Sequence, residues 1–375
     1  DGTEVQNISE GNTNFQCVTY PLVYVSCAAA NEKGHFFVAS YGGGVFEYAN
    51  YKAIKNYNPS NSTLKSADAK VPDKYTRTEG VMVDKDGNLW VLNTGDDAYP
   101  INIMTPQKQW VGLNLYNAAN GQRITLSTPW EIVVDNRDSQ YKWFIDQRNV
   151  MVYLLNDGGT PTKSSDDYCY GRREFNDQDG LQIAPSAIYC LAQDNDNDIW
   201  VGTPTGVFII PSTVDYFKSN ECYRVKIPRN DGTNLADYLL GTEQVNCIAV
   251  DGANRKWIGT ENSGLYLMSA DGLTTEAHFT TDNSLLPSNT ILSVAINSVS
   301  GEVFVGTSDG IASYRSDASA PQEDYSNAYA FPNPVRHNYG GVITITGLME
   351  NSVVNIIDEG GNLICKTRSN GGIAV

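Results

Sequence analysis

Three histidines in 375 residues, His35, His278 and His337, are far apart in the chain and supply no His-based metal set or triad. Cysteine is equally uninformative as a ligand. Cys17, Cys27, Cys169, Cys190, Cys222, Cys247 and Cys365 make an odd count with no CxxC and no Cys/His pair at metal spacing. No GxSxG elbow, HExxH pair or phosphate-cradling glycine loop occurs, which removes positive support for nucleophilic, zinc or nucleotide chemistry. No apolar run approaches the ~18 residues of a membrane helix. Positive charge is scarce: 26 Lys and Arg against 43 Asp and Glu give −17 at pH 7, so a phosphate backbone is repelled and nucleic acid is not expected as a partner. The chain begins at Asp1, not Met, which leaves open a removed signal peptide or a shortened chain.

Long periodic runs of helix formers are also missing, whereas aromatics are plentiful, with 22 Tyr and 6 Trp. Short apolar runs alternate with Gly, Asn, Asp, Ser and Thr clusters, the signature of an all-β protein. The stretch "NDIWVGTPTGVFII" (197–210) returns as "NRKWIGTENSGLYLM" (254–268) and "GEVFVGTSDGIASY" (301–314). Aligned on the bulky aromatic, six copies are headed by Phe37, Trp90, Trp143, Trp200, Trp257 and Phe304, spaced 47 to 57 residues apart. Before each aromatic lies an alternating strand and a polar turn. After it come a second turn, a third strand and, after a variable gap, a fourth, "CYRVKIP" at 222–228 or "TEAHFTT" at 275–281.

Four-stranded units at this period are the blades of a β-propeller. The expected fold is therefore all-β: a propeller of four-stranded blades over 1–318, with six repeats recognised and six or seven blades. The aromatic wedges between neighbouring blades, the Gly after it lets the chain turn tightly, and the following Thr bonds back onto the turn. Cys27, Cys190 and Cys247 occupy one slot ten residues before their aromatics, read as a small packed position. The strand "TEVQNIS" (3–9) is expected to latch the last blade. Residues 319–329 read as a polar linker, and 330–375 as a partial Ig-like β-sandwich, with strands at 342–346, 353–357 and 363–367.

Acidic clusters at 84–87, 177–180 and 194–198 resemble pieces of calcium loops but lack the closing Glu, so turn chemistry explains them and no metal is expected. No cofactor is expected either. A propeller offers ligands the turns between second and third strands, which places Tyr41, Asp96, Tyr99, Arg148, Glu261 and Asp309 around one mouth of the channel. Arg172 and Arg173, in the long insertion 156–182, concentrate positive charge suited to an anionic glycan.

The phrases "DKDGNLWV" (84–91), "WVGT…GVF" and "WIGT…GLY" resemble the two-component regulator propeller repeat of Bacteroidota, over residues from about 20 to 315. "FPNPV", "ITITGL", "SVVNIIDEGGNLI" and "SNGG" are similar to the C-terminal sorting domain of type IX secretion cargo, lacking its last strands. Together these resemblances imply a non-catalytic, exported binding and scaffold protein at the cell surface or in the periplasm. The implied partners are a sortase or other secretion-complex protein and an anionic polysaccharide or lipopolysaccharide. The alternative is the ligand-sensing module of a glycan-responsive regulator. A glycan-cleaving propeller would need two carboxylates facing each other ~5–10 Å apart in a pocket.

Overall fold

The computed structural model describes residues 25–32, 35–50, 52–72, 75–95, 99–229, 231–336 and 338–375. The expected latch at 3–9, Cys17, Asp96 and His337 lie outside them. Every regular element described is a β-strand. The chain forms two compact units, residues 1–188 with 213–221, and residues 189–212 with 222–375.

The first unit holds three repeat sheets. Sheet one is β1 (Val25–Glu32), β2 (His35–Gly42), β3 (Gly44–Ala49) and β4 (Lys52–Tyr57). Sheet two is β5 (Thr76–Val83), β6 (Leu89–Asn93), β7 (Ile101–Met104) and β8 (Trp110–Leu113). Sheet three is β9 (Pro129–Val134), β10 (Tyr141–Asp146), β11 (Met151–Asn156) and β12 (Tyr168–Arg172), followed by the small pair β13 (Phe175–Asn176) and β14 (Gln182–Ile183). All pair antiparallel in chain order. The segment 156–182 is thus not a free insertion: its middle is the outer strand of sheet three.

The second unit continues the series. Sheet four is β15 (Cys190–Gln193), β16 (Ile199–Thr203) and β17 (Gly206–Ile210). Its expected fourth strand is reduced to a bridge between Ile209 and Tyr223, because β18 (Lys226–Pro228) pairs with β19 (Ala236–Tyr238) instead. Sheet five is β20 (Val245–Val250), β21 (Lys256–Thr260), β22 (Leu265–Met268) and β23 (Thr275–Phe279). Sheet six is β24 (Ile291–Asn297), β25 (Glu302–Thr307) and β26 (Gly310–Arg315), three strands among the described residues. Beyond it, β27 (Tyr329–Phe331), β28 (Thr344–Thr346) and β31 (Ile373–Ala374) form one small sheet, and β29 (Val353–Ile357) with β30 (Leu363–Arg368) another.

Phe37, Trp90, Trp200 and Trp257 each sit in the seam between their own sheet and the next. Phe37 packs with Val81, Leu89 and Val91 of sheet two. Trp90 packs with Ile132 and Phe144 of sheet three. In the second unit, Trp200 meets Val245, Ile248 and Ile258 of sheet five, and Trp257 meets Ile291, Val303 and Val305 of sheet six. The residue before the aromatic reaches back over the previous one: Lys142 Nζ lies 4.3 Å from the Trp90 ring and Lys256 Nζ 4.8 Å from Trp200.

Each indole N–H must find an acceptor once buried. Trp90, Trp143, Trp200 and Trp257 donate to Asp84, Asp135, Asp194 and Asp251 at 2.9, 3.0, 2.9 and 3.2 Å. The same carboxylates accept backbone N–H groups of their turns, as when Asp194 takes those of Asp196 and Asp198. The acidic clusters at 84–87 and 194–198 are thus turn structure with a second duty, and in the cluster at 177–180 Asp177 accepts the N–H groups of Asp179 and Leu181. No group of metal-ligating side chains occurs among the described residues. The two repeats headed by Phe, which has no N–H to satisfy, carry Asn31 and Asn297 where the Trp repeats carry Asp84, Asp135, Asp194 and Asp251.

The Gly after the aromatic does not make the turn, contrary to the sequence reading. Gly202 and Gly259 have ordinary φ, and a Cβ on either would collide with the sulfur of Cys190 or Cys247 opposite. Sheet two inverts the arrangement, with Gly80 across from Leu92. The cysteine slot is thus one half of a volume-matched pair. The turn glycines are Gly206 and Gly264, at φ 83° and 79°. The threonines bond back as expected: the hydroxyls of Thr203, Thr260 and Thr307 donate to the carbonyls of Gly206, Gly264 and Gly310 at 2.8 to 2.9 Å.

The expected linker begins as a clamped segment. Ala318 and Ser319 are buried. Ser319 O accepts from Gly372 N at 2.9 Å, and a Cβ on Gly252 or Gly371 would run into Ser319. Arg255, itself buried, holds Asp251 at 2.9 Å, Ser316 at 2.9 Å, Asp317 at 2.8 Å and Glu276 at 3.1 Å. The last strand and sheet five are fastened through these few residues.

Candidate functional site

One irregularity recurs at the start of the first strand of five sheets. The register with the second strand slips by one residue, leaving Ser26, Glu79, Glu131, Asn246 and Leu292 unopposed. Such β-bulges bend a strand and re-aim one side chain. All five adjoin the end of the second strand, next to the turn on which the sequence placed binding residues. Glu131 adopts φ 45° there.

In the first unit the bulge of sheet two builds a cluster. Arg77 and Glu79 stand two apart and so share a face. Arg77 pairs with Glu79, Nε at 3.2 Å, and Thr94 donates to the other carboxylate oxygen. The Arg77 guanidinium lies 4.1 Å over the ring of Tyr41, which meets Tyr75 edge-on at 6.3 Å. Burial pushes the Glu79 carboxyl above its ordinary range, against the opposing pull of Thr94 and Arg77. The signal in the sequence was the charged alternation "RTE" at the head of an apolar strand.

In the second unit, Asn246 donates to Glu261 at 2.7 Å and to Ile291 O at 3.0 Å, and accepts from Gln244 at 2.9 Å. Glu261 is thus drawn onto the bulge, as Tyr41 is in sheet two.

The other candidates divide. Arg148 and Arg173 are exposed. Arg148 tops the 147–150 turn, which Asp146 braces by accepting from Asn149 and from Ser127 N, both at 2.7 Å. Asp309 is exposed, its N–H spent on the Thr307 hydroxyl at 3.2 Å. Tyr99 lies against Gly112 of β8, on the outer side of sheet two, and does not join the Tyr41 cluster. Arg172 is anchored: it donates to Tyr216 O at 3.0 and 3.1 Å and covers the rings of Tyr170 and Tyr216. Its partner is 44 residues away, beyond the reach of local pattern.

Carboxylates that line cavities are engaged in structure. Asp135 holds Trp143 and is paired with Arg137 at 2.6 Å, and Asp84 holds Trp90 and its own turn. The cluster in the first unit presents an aromatic ring and a guanidinium, and the one in the second unit an amide and a carboxylate. Among the described residues no helix is long and apolar enough to cross a membrane.

Comparison with known proteins agrees with this architecture. The two-component regulator propeller family matches residues 182–205. Among solved structures, PorZ of Porphyromonas gingivalis, described as an essential bacterial surface component of the type IX secretion system, is 27% identical, with a TM-score of 0.69 over 93% of this chain and 46% of that one. The chain thus spans about half the length of PorZ. The extracellular domain of a putative one-component system from B. thetaiotaomicron is 17% identical (TM-score 0.48, 95% of this chain and 38% of that one). That of a putative hybrid two-component system from the same organism is 13% identical (TM-score 0.42, 93% and 51%). No curated protein matches the chain. The repeat, the six aromatic-led sheets, the regulator-propeller match at 182–205 and the likeness to PorZ show an all-β chain of propeller type, similar to PorZ.

Proposed function

We propose that the chain is the binding and scaffold portion of an exported protein that acts at the cell surface, engaging a protein of a secretion complex and an anionic glycan without transforming either. The likeness to PorZ over 93% of the chain carries this reading. The ends of the sheets that carry the bulges, with Tyr41 and Arg77 in one unit and Asn246 and Glu261 in the other, supply the contact groups. Arg148 and Arg173, exposed on an acidic chain, supply positive charge that an anionic glycan would meet. We assign 1–318 to the propeller and 330–375 to a partial sorting-type sandwich, with the joint at 319–329 clamped at its start.

The test is capture of outer-membrane proteins and of purified lipopolysaccharide by the intact chain, beside the Arg148→Ala, Arg173→Ala double variant. Capture of a secretion-complex protein by the wild type, with lipopolysaccharide retention lost in the variant, is the expected result. Failure of the wild type to retain either removes the proposal. The sensing alternative draws on the regulator-propeller match at 182–205, and predicts release or capture of a small oligosaccharide instead of a protein partner.

A further inference from the structure

Sheet three carries aromatics on one face in two rows. The register puts Trp143, Leu154 and Tyr170 in one rung across β10, β11 and β12, and Tyr141, Asn156 and Tyr168 in another on the same face. Tyr216 packs over the first rung. Tyr216 meets Trp143 edge-on at 4.8 Å and Tyr170 at 6.3 Å, and its hydroxyl donates to Val152 O at 2.6 Å. The second rung is not sealed. Phe217, the next residue, stands beside it, 5.2 Å from the Tyr168 ring and 6.3 Å from Tyr141, and leaves an open cavity of about 740 Å³. Tyr168 is 39% exposed there. Ala118, Ala119, Asp215 and Lys218 line it as well.

We propose that this cavity is a binding platform for a neutral pyranose, one or two sugar rings long, lying on Tyr141, Tyr168 and Phe217. The ring separations are those of rings already in contact, so a flat ligand cannot slip between them and must lie across their open faces. A pyranose presents an apolar C–H face to such a wall and hydroxyls at its edge. The polar groups needed at the edge are present: the phenol of Tyr168, oriented by Asn156 Nδ2 at 2.9 Å, and the Asp215–Lys218 pair. An anion has little to bind here. Lys218 is neutralised by Asp215 at 2.7 Å, and Arg172 is spent on Tyr216. A lipid chain would need a closed apolar sleeve, whereas three of the four rings around this open cavity are phenols. The site is separate from the bulge clusters and stands whether or not the partner reading does.

The experiment is titration of the intact chain with cellotriose, maltotriose and triacetylchitotriose, followed by calorimetry and saturation-transfer NMR, with polygalacturonate as the anionic arm. Wild type binds at least one neutral trisaccharide. Tyr168→Ala weakens it about tenfold, and Tyr168→Phe, which keeps the ring, by no more than about threefold, the spread expected of a stacking contact. Melting temperatures of both variants show that the sheet is intact. Absence of binding to all three neutral sugars overturns the proposal. So does unchanged affinity in a folded Tyr168→Ala, and so does binding confined to polygalacturonate and abolished by Lys218→Ala. Lipopolysaccharide capture lost in the Arg148, Arg173 double variant, with trisaccharide binding retained, separates this site from the one proposed for the partner.

Discussion

Trp257 of sheet five and Phe304 of sheet six occupy the same place in their repeats, yet Trp257 is 0% exposed and Phe304 is 41%. What covers Trp257 is the neighbouring sheet: Ile291, Val303 and Val305 on its face, with the Tyr314 ring at 5.7 Å. Phe304 has no such cover among the described residues, and around it Leu292, Ile311 and Tyr314 are exposed as well. The strands of sheet six pair normally all the same. Hydrogen bonding thus builds a blade, and the next blade buries it.

The comparison sets the order of expected effects. Trp257→Ala empties a sealed seam and should cost about 3–5 kcal/mol in urea unfolding, whereas Phe304→Ala should cost less than about 1 kcal/mol. Equal losses would show that exposure does not govern the repeat aromatic. Asp251→Ala strips the acceptor from Trp257 and one carboxylate from buried Arg255, for about 3 kcal/mol. Its counterpart Asn297→Ala should cost only about 1 kcal/mol, the turn N–H bonds of Val299 and Ser300, because Phe304 has no N–H to satisfy.

Gly259→Ala forces a methyl to 2.5 Å from both Cys247 Sγ and Ile291 Cγ2 and should cost about 1–3 kcal/mol, of which Cys247→Ala recovers only the part due to the sulfur. Gly306→Ala meets only the movable Ser293 hydroxyl and should cost less. A double-mutant cycle with no coupling between 259 and 247 would break the paired-volume account.

The same contrast holds for charge within sheet three and its loop. Buried Asp157 is paired with Lys142, whereas the neighbouring Asp167 has buried carboxylate oxygens with no hydrogen-bond partner. Burial, with Asp157 and Asp166 nearby, raises Asp167 to about 7. In the unfolded chain it ionises near ~4. Between those values the folded state holds the extra proton, so this group's contribution to stability falls as pH rises from about 4 to about 7, then stays level. Asp167→Asn should remove that decline. Urea midpoints at pH 5 and pH 8 that shift equally in wild type and variant would refute it.

Much of the architecture was legible because bulky aromatics at a steady interval report seams, and because Gly-Thr turns repeat with them. The partners of the turn aspartates escaped notice, although Asp84, Asp194 and Asp251 each precede a Trp by six residues. Their second role appears only when a hairpin folds the indole back over the turn. The long insertion hid a strand, since Tyr168–Arg172 is recognisable only through its pairing with β11. Of the residues the sequence offers for binding, Tyr41 and Glu261 are drawn onto the bulges, whereas Arg172 is held by a backbone carbonyl distant in sequence. A bulge shifts the phase of the alternation by a single residue, a break too small to stand out in strands this short, so Glu79 and Asn246 are legible only from the register.

Asp251 ties Trp257 to Arg255, Arg255 grips Asp317, and Ser319 lies wedged between Gly252 and Gly371. The tail is therefore a handle riveted to the seam of a blade. Whatever grips the terminal sheets, or pulls on them, loads the buried indole directly, with no slack to take up first.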